Sequence, residues 1–74
     1  MIAMDTLVQR RRAAHTRSAI DHESSADFQH ALSVVFERLG HTIHASHALE
    51  SEQQHRALAQ REWDHARLAD DDEV

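Results

Sequence analysis

FQHALSVVFERLGHTI, residues 28–43, carries the most pronounced pattern in the chain. Phe28, Leu32, Val35, Leu39 and Ile43 recur within it at the three- and four-residue steps of one α-helical face. That face continues through Ser46, Leu49, Gln53, Ala57, Gln60 and Asp64 to Leu68, so the stripe starts apolar and turns polar. Such a stripe is not buried equally along its length. It predicts a short helical core followed by a wet extension open to a partner.

The residues around this stretch extend the helical reading. The sequence of 74 residues has no Pro, and Gly40 is its only Gly. Ala, Glu, Gln, Arg and Leu dominate throughout, and no alternating run is long enough for a strand. The expected fold is all-α: one small domain over 1–74, a two- or three-helix antiparallel bundle or hairpin. Helices are expected at about 5–20, 26–39 and 43–69. Asp5 or Thr6 is expected to cap the first of them. The run DHESS at 21–25 reads as a break, and Ser24 followed by Asp27 resembles a capping box for the second helix.

Gly40 leaves two possibilities open. It can end a helix, with Thr42 capping the next. Alternatively, Leu39 and Ile43 keep their phase across it, which suits one continuous helix at a cost of about 1 kcal/mol for an interior Gly. The four acids at 70–73 oppose the negative end of a helix, so 70–74 is expected to fray.

The apolar content is 41%, but 12 of those residues are Ala, and Leu, Ile, Val and Phe number only 15 of 74. A domain of this size buries about 60% of its unfolded surface, and this one has little large apolar area to bury. Completion by self-association or by a partner is therefore expected. Absence of Cys excludes disulfides and thiolate metal sites. No apolar run approaches the roughly 20 residues of a membrane span. The N-terminus lacks the charged-then-apolar order of a signal peptide. The cytoplasm is the default location.

Charge divides the chain. Residues 1–20 hold four Arg against one Asp, +3, whereas 21–74 hold four Arg against twelve acids, −8. The halves can complement each other within the fold or across a dimer, or the acidic part can meet a basic surface elsewhere. Leu49, Glu50, Glu52, Leu58, Glu62, Trp63, Asp64 and Leu68 form the expected mixed apolar and acidic docking surface for another protein. Trp63, the sole Trp, is read either as core or as an exposed contact. Arg10, Arg11, Arg12 and Arg17 form a basic cluster that can touch phosphates. Consecutive Arg residues splay around a helix, however, and no aromatic stands near for stacking, so nucleic acid is the weaker expectation.

Eight His are the most unusual compositional feature. On a continuous helix Glu37, His41 and His44 share a stripe that His55 and Glu62 extend. One carboxylate and two imidazoles suit Zn or Ni. The stripe lies opposite the apolar one, so it is expected to face solvent, with no cofactor as the first expectation and a metal-binding or metal-sensing module as the alternative. No Gly-rich phosphate loop, Cys or Tyr supports catalysis. The functional expectation is a non-enzymatic interaction protein: an adaptor, chaperone-like subunit or inhibitor. In gross composition it is similar to small acidic phage inhibitors of nucleic-acid-binding machinery.

Overall fold

Two long helices make the structure. A computed structural model of the chain describes residues 2–71, with side chains for 6–68. Helix α1 spans Ile2–Arg38 and α2 spans Thr42–Asp71. They fold back on each other as an antiparallel all-α hairpin, 59 × 14 × 10 Å, with a radius of gyration of 16.8 Å. A compact domain of this length would have a radius of about 11 Å. The molecule is therefore a rod two helices thick.

Gly40 makes the reversal. Its φ of 77° is left-handed, a conformation a side chain resists. The Gly40 amide donates to the carbonyl of Glu37, and the His41 amide donates to that of Phe36 at 2.8 Å. This pair of bonds is a Schellman closure, which satisfies the last carbonyls of α1. The carbonyl of His41 accepts from the Ala45 amide and opens α2, so His41 rather than Thr42 holds the cap position. An added Cβ at Gly40 would meet nothing within 4 Å, so only the backbone conformation forbids it. Gly40→Ala is expected to cost about 1–2 kcal/mol, read as a lower urea midpoint with unchanged slope.

Two expected boundaries are corrected. α1 begins at Ile2 and passes Asp5 and Thr6 as helix, so neither caps it. It also runs through 21–25 without a break. His, Ser, Asp and Glu within a helix cost only fractions of a kcal/mol each. Ala19 and Ala26, both fully buried, pack on either side of that segment and hold it straight. Of the tail expected to fray, 70 and 71 belong to α2, and 72–74 lie outside the described residues.

The core is the finding least expected from the sequence. Among the described residues the buried side chains are Ala19, Ala26, Ala45, Ala48, Ala59, Ala66 and Ser33. Ala19, Ala26 and Ser33 follow one another at seven-residue steps, as do Ala59 and Ala66. A seven-residue repeat is the seam of a coiled pair, and short side chains let the helix axes approach closely. The expected apolar core lies outside this seam. Phe28 is 62% exposed, Leu39 64% and Ile43 71%.

Candidate functional site: a histidine-laddered seam and an apolar edge

Between the alanines, the seam is filled by polar pairs. The Nδ1–H of His15 donates to Glu62 at 2.5 Å. One heptad further along α1, and one heptad back along α2, the Nδ1 atoms of His22 and His55 stand 3.0 Å apart. One of those two rings therefore carries its proton on Nδ1 and the other accepts. His30 donates to Glu52 at 3.0 Å. Near the turn, Phe36 lies against the rings of His41 and His44, with centroids 6.3 and 5.3 Å away. His15, His22 and Phe36 follow the seven-residue seam repeat on α1. Of the His/Glu stripe expected to face solvent, His55 and Glu62 instead make contacts between the helices, while Glu37, His41 and His44 are exposed.

A charged network secures one edge of the hairpin. Arg56 reaches Glu52 on its own helix at 2.8 Å and Asp27 on α1 at 3.3 Å. Beside it the indole N–H of Trp63 donates to Glu23 at 2.6 Å. Arg56, Asp27, Trp63 and Glu23 border a shallow cleft of about 280 Å³. Trp63 is half-buried there, neither core nor a bare contact.

The Arg56 hydrogen bond, and after it that of His30, holds the Glu52 carboxyl below its ordinary 4.5. His15 does the same for Glu62 through its hydrogen bond, against a smaller opposing effect of burial, with the nearby His65 and His22 adding to the shift. A carboxyl lowered in the folded state stabilises that state above its unfolded value, and the contribution disappears as pH falls through the folded value. An acid limb of instability is therefore expected below about pH 4.5. It should be shallower in the double variant Glu52→Gln Glu62→Gln, as read by helicity during acid titration at constant temperature.

The opposite edge is apolar. Residues five apart on a helix point about 140° from each other. By that rule Phe28, and Val35 one heptad beyond it, face away from Glu23, and Leu58 and Leu68 face away from Trp63. With Leu7, three heptads before Phe28, and with Leu39, they line the edge that lacks the charged network. All six are exposed, from 37% at Leu58 to 64% at Leu39.

The expected docking residues are divided by this geometry. Leu58 and Leu68 lie on the apolar edge. Leu49 and Trp63, fourteen residues apart and so nearly in phase, lie on the other. Glu52 and Glu62 are engaged across the seam. Asp64 accepts from Gln60 and Arg67 on its own helix, and Glu50 is exposed.

The expected metal set does not converge. Gly40 places Glu37 on α1 and His44 on α2. Among the described residues the only cluster with metal-ligating geometry is His15, Glu62 and His65, whose donor atoms lie within 4.8 Å of one another. The spacing of Glu62 and His65, one near-turn apart in REWDHAR, was a visible signal. Its partner His15 stands 47 residues from Glu62 and becomes a neighbour only through the hairpin. Of the basic cluster, Arg12 and Arg17 border a second shallow cleft of about 390 Å³ with Ile20, while Arg10 and Arg11 lie outside it. No described helix is long and apolar enough to cross a membrane. No family model, curated protein or solved structure matches the chain.

Proposed function

We propose that the chain is a non-enzymatic protein-interaction module whose apolar edge docks on a helical surface of another protein, one with a basic rim. The observation that carries this reading is the exchange of roles in the hairpin. Alanine and serine fill the buried seam, while Leu7, Phe28, Val35, Leu39, Leu58 and Leu68 remain exposed. A helical layer with an apolar stripe is stable only when another element covers it. Six such side chains, each more than a third exposed, form an interrupted apolar stripe along the rod, the kind of exposed apolar surface that marks interaction sites.

Charge favours a different protein over a second copy as the occupant. Residues 21–74 carry −8, and the whole chain −5. Two copies of a chain carrying −5 repel at long range, whereas a partner with a basic surface is attracted and associates faster. Docking of this kind suits an adaptor, a chaperone-like subunit or an inhibitor.

Light scattering across a concentration series, followed by mass measurement of the complex captured from source cells, tests the proposal. The expected results are a chain that does not form a tight homodimer and a complex of defined stoichiometry with a basic partner. A concentration-independent homodimer with Phe28 buried would replace this reading with self-assembly, and a solitary heat-resistant monomer that captures nothing would end it.

A further inference from the structure

His15, Glu62 and His65 lie at the seam toward the open end of the hairpin, roughly 35 Å along the helices from Gly40 at 1.5 Å per residue. No covalent link joins α1 to α2 there. His15 comes from α1, and Glu62 and His65 come from α2 at positions that share one face. The side chain of His15 is 30% exposed and that of Glu62 is 23% exposed, whereas His65 opens to solvent. The rings of His15 and His65 meet edge to face, with centroids 5.1 Å apart.

We propose that these three residues bind a divalent first-row metal ion, Zn²⁺ foremost, which clamps the two helices together. Two imidazoles and one carboxylate are a recognised zinc donor set, with bonds of about 2.0–2.2 Å. Donors of a tetrahedral ion at those bond lengths stand about 3.4 Å apart. The present limit of 4.8 Å therefore closes by side-chain rotation, with both helices in place. Three protein ligands leave the fourth position to water. The ion stabilises the hairpin because the unfolded chain does not hold His15 near Glu62 and His65. His65 shares its helix face with Leu58 and Leu68, but metal uptake is read on the isolated chain, so failure of the metal site and failure of docking are distinguishable.

The full chain is titrated with ZnSO₄ by calorimetry and with CoCl₂ by visible absorption. Expected are one tight site per chain, the intense cobalt bands of four-coordination, and a rise in melting temperature with one equivalent of Zn²⁺. His65→Ala removes an exposed side chain and leaves the seam pairs intact, so it is expected to fold normally. It should weaken binding by more than about 100-fold, beyond what loss of a supporting group gives, and abolish the thermal shift. His15→Ala and Glu62→Gln should do the same, with helicity checked for each. His41→Ala with His44→Ala should leave the site untouched. Tight binding that survives His65→Ala, or weak multi-site uptake spread over all the histidines, would overturn the proposal.

Discussion

Replacing Ala26 with Leu, alone and then with Ala19→Leu, is expected to open the hairpin. Both alanines are completely buried where the helices meet. A Leu at either place inserts three carbons into a line of contact that exists because the side chains are short. Overpacking of this kind typically costs about 1–3 kcal/mol per site. A seam built of Ala and Ser has little stability with which to absorb the loss. The double variant should lose cooperative melting and the cross-helix contacts. Melting followed by circular dichroism, with NMR contacts between His15 and Glu62 as the tertiary marker, would show it. The control is Ala31→Leu on the exposed surface of α1, expected to change stability by less than about 0.5 kcal/mol. Phe28→Ala supplies the converse. A core Phe lost to Ala costs about 3–5 kcal/mol, but Phe28 is 62% exposed, and its loss in the isolated chain should be nearly neutral. If Phe28→Ala proved severe and Ala26→Leu mild, the seam assigned here would be wrong.

The second large effect concerns binding. Phe28→Glu with Val35→Glu places two carboxylates in the middle of the apolar edge. The isolated chain is expected to keep its helicity and melting temperature, because neither side chain is part of the seam. Complex formation should nearly vanish. Truncated anchor residues at the centre of an interface cost about 2 kcal/mol or more each, so two together reach about a thousandfold in affinity. Comparing capture by the wild-type and double-variant chains measures this. A matched variant on the other edge, Leu49→Glu, should retain most of the binding. Equal loss in both would mean that the partner covers both edges, loss only in Leu49→Glu that it grips the charged edge, and full retention in both would remove the apolar edge from any role in docking.

Several features were legible in the residues themselves. With no Pro and one Gly, a chain this rich in Ala, Glu, Gln, Arg and Leu forms helices, and Gly40 alone can supply the left-handed residue of a reversal. The break expected at 21–25 failed because polar residues only weaken a helix, and packing of Ala19 and Ala26 outweighs that weakness. Of the candidate metal ligands, Glu62 and His65 were visible as a local pair. Glu37, His41 and His44 looked like a set only while the helix was imagined as continuous across Gly40.

The amino-acid order by itself determined that the chain is helical and where it can turn, because these follow from local backbone preferences, and within each helix a fixed 100° step sets which residues share a face. Only the tertiary structure decided which stripe lies inside. A helical face carries no mark of what covers it, and when two helices meet alone, short Ala and Ser side chains permit a closeness that Phe and Leu prevent. The large side chains are displaced to the edge, and histidines far apart in the chain meet in the seam. Their register, His15 on Glu62 and His22 on His55, is set by the turn and by nothing near them in sequence.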